Sequence, residues 1–449
     1  MTLLDFIRYE QQLTGTKIGC REGDCGACSI LTGVVKNGRV IYSGATSCLM
    51  PLGNARGKHI VTIEGINLSG LNMIQEAFVA QGATQCGFCT PGFIVSLAGY
   101  CLDQNEPAYE NAIEAVNGNI CRCTGYKSIE RAIAVIHYTL QQRKGIDAIQ
   151  YACEKKIVPD YFLGILERLN AIPPAQNPEN APVKKLGGGT DLYVQQHDTI
   201  MQEELDFLFD APHLNDITVH GNVCEMGAST VVTDIAESPV FKKYFPDLKK
   251  YIRLVSSAPI RNMATIAGNF TNASPIGDMT IFFLALDARL ILSDGKHERM
   301  LPLREFYKGY KQLNKAPGEI IEKIQFTLPA ESGLFNFEKV CKRTHLDIAT
   351  VNTAIYLEMK GSEIVSAGLS AGGVGPVPAW LSKSSAFLAG KIVNEALVKE
   401  LIEMVQEEIS PISDVRGTET YKRLLLSQLI KAHFIQLFPS LLVEKIVQD

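Results

Sequence analysis

Eight of the chain's 12 cysteines fall into two groups of different spacing. Cys20, Cys25 and Cys28 form C-x4-C-x2-C within the glycine-rich run Gly19 to Cys28, and Cys48 follows about twenty residues later. Cys86 and Cys89 form C-x2-C, and Cys121 and Cys123 form C-x-C. The first spacing is that of loops that hold a [2Fe-2S] cluster through four thiolates. Gly19, Gly23 and Gly26 let the backbone curl against such a cluster and aim amide N–H groups at its sulfurs. Each iron takes two thiolates beside the bridging sulfides, so two groups of four would serve two clusters. Structural zinc also accepts four thiolates, and disulfides also consume cysteines in pairs. A glycine-saturated C-x4-C-x2-C loop is unusual for zinc, whereas on spacing alone zinc stays open at the second group.

The elements that must position these thiols differ between the two groups. Leu3, Leu4, Ile7 and Leu13 recur at helical spacing, which predicts an opening helix ending near Gly15. Ser29–Val35 and Arg39–Tyr42 read as strands joined at Asn37-Gly38, and Ile60–Ile63 as a third. From Leu71 to about Arg143 the period turns helical, with four helices expected. One should open at Thr90-Pro91, with Thr90 as N-cap and Pro91 in the first position, setting Cys89 just before a positive helix end. Cys101, Cys153, Cys224 and Cys341 lack a partner at ligand spacing and read as small hydrophobes. Residues 144–183 read as a linker with one amphipathic segment and a proline-rich end, Ile172 to Pro178.

A chain of 449 residues suggests about three domains. The net charge of −5, without a long Lys/Arg run, argues against nucleic acid or an anionic membrane as partner. Met1 to Arg8 has neither a basic n-region nor an apolar h-region, so the cytoplasm is the default location. The most apolar run, Thr280 to Leu292, is interrupted by Asp287 and Arg289 and is too short to span a bilayer.

Two glycine-rich segments follow the linker. Leu186-Gly187-Gly188-Gly189-Thr190-Asp191-Leu192 could wrap backbone amides round a phosphate, although it is not G-x-G-x-x-G and gives no support for a Rossmann unit. Ile260 to Asp278 packs small and polar residues between apolar ones, as a tight loop between buried elements also would. Two one-electron centres call for a two-electron partner, and a flavin is the usual converter. Beyond Pro329, strand-like stretches from Thr350 to Met359, a turn at Lys360-Gly361-Ser362 and helices from Asn394 and Glu419 are expected, the last with Thr418 as N-cap.

With these motifs placed, the sequence resembles the molybdenum hydroxylase family, and within it the small subunits of bacterial xanthine dehydrogenases. The resemblance runs along nearly the whole chain and is carried by GCREGDCGAC, QCGFCTPGF, ICRCTGY, GGGTDL, IRNMATIAGN, ASPIGD and SDVRGTETY. It implies a multidomain α+β chain: a plant-ferredoxin-like [2Fe-2S] domain (1–65), a four-helix [2Fe-2S] domain (66–143), a linker (144–183), a two-part α+β FAD-binding domain (184–330) and a C-terminal α/β subdomain (331–449). It further implies one cluster on Cys20, Cys25, Cys28 and Cys48, and a second, nearer molybdenum, on Cys86, Cys89, Cys121 and Cys123. FAD would be held by Lys185, Leu186, Gly187, Gly188, Gly189, Thr190, Asp191 and Leu192, by Thr265, Ile266, Ala267, Gly268 and Asn269, and by Asp278, with Val255, Ile321 and Lys339 at further contact positions. NAD would accept the electrons, and the molybdopterin would lie in a large partner subunit, in a heterotetramer of two small and two large subunits. The family's ferredoxin domain normally begins with a β-hairpin, whereas this sequence starts in the helix after it. Rival readings are the matching subunit of an aldehyde or N-heterocycle hydroxylase, and a zinc-stabilised scaffold without catalysis.

Overall fold

Asn37 and Gly38 both take positive φ, 50° and 73°, as a tight two-residue hairpin turn requires. They join β1 (Ser29–Lys36) to β2 (Arg39–Thr46) in unbroken antiparallel register, and β3 (His59–Val61) pairs with the other edge of β1. The computed structural model describes residues 1–173, 184–343 and 346–439. Two compact units emerge, one of residues 1–207 with 257–264, the other of residues 208–256 with the chain from 265 onward.

In the first unit the opening helix is shorter than its apolar spacing suggests. Leu3–Asp5 is α-helical, Phe6–Glu10 continues as a π-helix, and Gln12 then turns the chain with φ of 55°. Leu3, Leu4 and Ile7 are buried in one cluster with Cys28, Cys48 and Leu186. Four helices follow, α1 (Met73–Ala80), α2 (Thr90–Cys101), α3 (Tyr109–Ala115) and α4 (Lys127–Leu140), packed on one another around Phe78, Phe93, Leu97 and Ile133. The N-cap of α2 is Cys89 rather than the expected Thr90, because the Cys89 carbonyl already accepts from the Phe93 amide. Pro91 therefore stands second, where its missing N–H still costs nothing.

The stretch expected as a linker carries helices Ala148–Glu154 and Ile165–Asn170, and its Tyr151, Ala152, Phe162 and Ile165 are buried in the same core as α1 to α4. Most of its proline-rich end, 174–183, lies outside the described residues. Cys101, Cys153 and Cys224 are buried, while Cys341 is partly exposed. The unit closes with β4 (Lys184–Leu186) and β5 (Leu205–Phe207), paired in parallel.

The second unit contains a five-stranded sheet in the order β6-β7-β10-β8-β9, formed by β6 (Ile217–His220), β7 (Val223–Gly227), β8 (Arg289–Ser293), β9 (Glu298–Pro302) and β10 (Ile320–Thr327). Phe241 and Phe245 stack, and with Phe282, Phe283 and Phe326 they otherwise meet edge-on or tilted, with ring centroids 5.2–6.4 Å apart, arrangements that aromatic quadrupoles favour. The run Thr280 to Leu292 is divided between a buried helix, α6 (Asp278–Ala285), and β8. A shorter helix, α5 (Ile266–Thr271), precedes it.

The last part is α+β, not the α/β subdomain expected. Its sheet, β11 (Gly333–Val340), β12 (Val351–Lys360), β13 (Glu363–Gly372) and β14 (Ala379–Trp380), is antiparallel throughout. The turn at Gly361, with φ of 62°, joins β12 to β13 directly, leaving no crossover helix of the kind parallel strands need. Helices Ser382–Leu388, Glu395–Glu408 and Glu419–Leu437 bury Leu388, Leu401, Leu426 and Phe434 with the sheet's Ile355, Leu357 and Leu369. Thr418 caps the last helix as expected, accepting from the Tyr421 amide.

Candidate functional sites

The first cysteine group is built on the loop that leads into β1. The Cys20 amide donates to Cys25 Sγ at 3.4 Å, and the Glu22 amide to Cys20 Sγ at 3.3 Å. A Cβ on Gly19 would stand 2.5 Å from Cys25 Sγ, so the loop closes on its sulfurs only because that side chain is missing. The thiols associate two by two. Cys20 is held at about 5 by a hydrogen bond from Cys25, whose own thiol that bond pushes up. Cys28 is lowered in the same way by Cys48, which rises. Cys28 and Cys48 are 3% and 2% exposed, whereas Cys20 and Cys25 are half-buried.

The second group lies where α2 begins and before α4. The Cys123 thiol donates to Cys86 Sγ at 3.6 Å. Cys89 is pushed up to about 12, first by burial and then by its hydrogen bond with Cys121. Burial opposes ionisation of Cys121, but the Thr124 hydroxyl and amide, with further help from the Cys123 amide and Cys89, lower it overall. The turn that brings Thr124 back is made by Gly125 and Tyr126, at φ of 63° and 68°, and the Tyr126 hydroxyl accepts from the Cys121 amide at 3.1 Å. Cys86 and Cys123 are exposed.

These pairings test the fit of iron–sulfur clusters. Two thiolates on one tetrahedral metal, each bonded at about 2.3 Å, lie about 3.8 Å apart, close to the 3.6 Å between Cys86 and Cys123. Among the described residues no three Cys, His, Asp or Glu side chains gather as a site for a single ion; the thiols meet in pairs. Two pairs per group are what two iron atoms need.

The expected phosphate loop turns from β4 into a short helix, Leu192–Gln195. A Cβ at Gly188 would lie 1.7 Å from the Met263 carbonyl oxygen, and Gly189 has φ of 84°. The loop is thus locked by backbone contact with the segment 257–264. Asn54 Nδ2 donates to the Gly187 carbonyl at 2.9 Å, while its buried Oδ1 has no protein partner. Lys185 pairs with Asp206 at 2.6 Å across the parallel strands.

In the second unit Thr265 caps α5, accepting from the Gly268 amide at 3.1 Å, and Asn269 Oδ1 accepts from both the amide and the hydroxyl of Thr280. The Ile266 amide donates to the Thr230 carbonyl, and the Thr230 hydroxyl is fully buried without a protein partner. Asp278 opens α6 with both oxygens engaged: Oδ2 by Lys339 Nζ at 2.7 Å, Oδ1 by Asn352 Nδ2 at 2.7 Å. Lys339 also donates to the Leu254 carbonyl. Val255 and Ile321 are buried. The unpaired Thr230 hydroxyl beside α5 and the glycine turn of the first unit suit a phosphorylated ligand such as FAD, each within its own unit.

Several residues escaped the motif reading. Asn352 sits in an apolar strand, where a lone buried amide is the signal that could have found it. Segment 257–264 belongs by packing to the first unit: the Ala258 amide donates to Asn117 Oδ1, Arg261 pairs with Glu114, and Asn262 Nδ2 donates to the Gly44 carbonyl. Asn119, two residues before Cys121, is buried and fully hydrogen-bonded.

Three families match the chain in succession: [2Fe-2S] binding domain over residues 62–134, FAD binding domain in molybdopterin dehydrogenase over 170–329, and CO dehydrogenase flavoprotein C-terminal domain over 337–437. Xanthine dehydrogenase of Emericella nidulans is 29% identical, over 87% of this chain and 34% of its own length. Xanthine dehydrogenase 1 of Arabidopsis thaliana is 28% identical, over 96% of this chain and 38% of its own. The chain thus spans less than two fifths of the length of these curated relatives. Carbon monoxide dehydrogenase from Hydrogenophaga pseudoflava shares the fold, with a TM-score of 0.55 and 24% identity over 58% of this chain and 91% of that one. No helix among the described residues is long and apolar enough to cross a membrane. In sequence and in domain content, the chain corresponds to the iron–sulfur and FAD-binding portion of the molybdenum hydroxylase family.

Proposed function

We propose that this chain is the electron-carrying subunit of a xanthine dehydrogenase, taking electrons from a separate molybdopterin-bearing subunit and delivering them to NAD+. Two [2Fe-2S] clusters and FAD, when bound, supply one-electron relay and conversion to hydride. The chain's residues bind, orient and shield. Cys20, Cys25, Cys28 and Cys48 hold one cluster, and Cys86, Cys89, Cys121 and Cys123 the other. Within the first unit, Lys185 to Leu192 form the glycine turn assigned to a phosphate of FAD; within the second, Thr265 to Asn269, Asp278, Lys339, Val255 and Ile321 are the further positions assigned to FAD. The observation that carries this reading is the run of two paired-thiol groups and two glycine segments in one chain that matches xanthine dehydrogenases along 87% and 96% of its length.

The exposed thiols of Cys86 and Cys123, with Phe88 and Tyr126 exposed in the same two loops, favour a partner subunit on that side of the second group. No general acid or nucleophile is required of this chain: a bound flavin would supply the hydride chemistry, and the chain's residues would place the nicotinamide against it. The test is to isolate the protein with its endogenous partner and measure iron, flavin and molybdenum, then NAD+ reduction with hypoxanthine, xanthine, aldehydes and N-heterocycles. About four irons and one flavin per chain, with purine-dependent NADH formation, support the proposal. Activity on aldehydes alone would move it to another hydroxylase, and zinc in place of iron would end it.

A further inference from the structure

The two cysteine groups, far apart in sequence, are tied together at one buried side chain. Asn119 is 6% exposed and uses its whole amide: Oδ1 accepts from the Ser96 hydroxyl at 2.9 Å, and Nδ2 donates to the Gly26 carbonyl at 3.1 Å and the Ser29 hydroxyl at 3.2 Å. Gly26 lies between the ligand candidates Cys25 and Cys28, Ser96 lies on the helix that Cys89 caps, and Asn119 stands two residues before Cys121. The three segments that carry Cys25 and Cys28, Cys89, and Cys121 therefore converge on this amide.

The packing there leaves no slack. A Cβ on Gly26 would lie 2.4 Å from both Asn119 Nδ2 and the Gly118 carbonyl oxygen, and one on Gly92 would lie 2.3 Å from the Gly26 carbonyl oxygen. Backbone thus rests on backbone, with the Asn119 amide and the Ser29 hydroxyl, which donates to the Gly26 carbonyl at 2.7 Å, beside the contact. Beside it the Ile120 amide donates to the Cys25 carbonyl at 3.0 Å. That single hydrogen bond joins Cys25 to the residue covalently linked to Cys121, and so forms a short bonded route from one group to the other.

We propose that Asn119 is a positioning residue that sets the spacing of the two thiol groups, and that the Cys25 carbonyl to Ile120 amide hydrogen bond is the bonded link between them. The proposal rests on the assignment of a [2Fe-2S] cluster to each group. Its physical basis is that a buried amide satisfied on both sides fixes its neighbours, whereas removing it takes from the Ser96 hydroxyl its acceptor and from the Gly26 carbonyl the donor that reaches it across the gap, leaving that carbonyl only the amide and hydroxyl of Ser29 in its own loop, and so lets the segments part. Electron tunnelling and magnetic dipolar coupling both weaken steeply with distance.

The experiment compares the intact protein with Asn119→Ala and Asn119→Asp, the latter nearly isosteric and able to keep the Ser96 bond while losing both donated ones. Iron content and flavin are measured first. Low-temperature EPR of the fully reduced protein then reads the splitting caused by coupling between the two reduced clusters. The expected result is full iron loading with a reduced splitting in the variants, while each cluster's own g-values are retained. If Asn119→Ala fails to load both clusters, Asn119→Asp decides. Unchanged splitting in a fully loaded variant would overturn the proposal. Failure of both variants to load would also overturn it, by assigning Asn119 to assembly rather than spacing. Absence of iron from the parent protein would instead refute the cluster assignment itself, and this inference with it.

Discussion

Lys339 Nζ lies 2.7 Å from Asp278 Oδ2, and the Lys339 side chain is only 1% exposed. The pair fastens the last residue but one of β11 to the start of α6, with Asn352 holding the other carboxylate oxygen. Both residues are positions at which FAD contacts are proposed, so the carboxylate that would face the cofactor is oriented before any ligand arrives. Such preorganisation is what a binding site needs from buried charge.

Removing one partner of that ion pair leaves the other buried and uncompensated. Lys339→Met is expected to cost about 3 kcal/mol or more of stability and to weaken flavin retention. Asp278→Asn added to Lys339→Met should recover part of the loss by removing the stranded charge. Denaturant unfolding followed by aromatic fluorescence, with flavin content after gel filtration, measures both effects. Equal stability of parent and Lys339→Met would show that the pair contributes nothing net.

The thiol groups differ in exposure, and their iron should differ in lability. Cys28 and Cys48 are 3% and 2% exposed, whereas Cys86 and Cys123 are open to solvent. A chelator added to the reduced, isolated protein is therefore expected to strip the second group first, releasing about half the iron before the first group responds. Parallel loss of both EPR signals would contradict this. Cys123→Ser should remove one signal and spare the other.

What was legible in the sequence is what local chemistry dictates. Asn37-Gly38 names its turn through two positive φ angles, Thr418 caps its helix through its own hydroxyl, and the C-x4-C spacing brings Cys20 and Cys25 together within one short loop. Strand β11 was missed because Gly-Leu-Phe-Asn-Phe-Glu-Lys-Val places Asn336 in the interior, where its amide is met by Glu338 and by His433, the latter 97 residues on. Asn119 and Arg261 were missed for the same reason: their partners lie 93 and 147 residues away. Even Cys89 as a cap depended on which carbonyl accepted the first helical bond, a matter of geometry rather than residue type.

Arg261 anchors the segment 257–264 to the first unit. Its side chain is 5% exposed and pairs with Glu114 of α3, while Met263 and Pro259 pack against Gly188 and Gly118. Arg261→Met keeps much of the volume and removes the charge, so the segment should loosen without loss of the core. Faster amide exchange confined to residues near 257–264 and 187–189, together with weaker flavin binding, is the expected outcome. Hydrogen exchange read by mass spectrometry checks it, and unchanged protection there would show that packing alone holds the segment.

The pH response of the C-terminal sheet follows from His433. Its imidazole is fully buried, and burial lowers its pKa from 6.5 to about 3. Asn336 Nδ2 donates to Nδ1 at 2.8 Å, which leaves the proton on Nε2, 3.4 Å from the Thr353 hydroxyl. The folded state therefore keeps the ring neutral where the unfolded chain protonates it. Above pH 6.5 there is no penalty; as pH falls below 6.5 the unfolded state gains a proton that the folded state refuses, and the loss levels off only below about pH 3. At pH 5 this amounts to about 2 kcal/mol. His433→Gln retains a group able to bond Asn336 but cannot titrate, so its unfolding midpoint should be lower than the parent's at pH 8 and fall less steeply toward pH 5. Parallel pH profiles for the two proteins would place the acid sensitivity elsewhere.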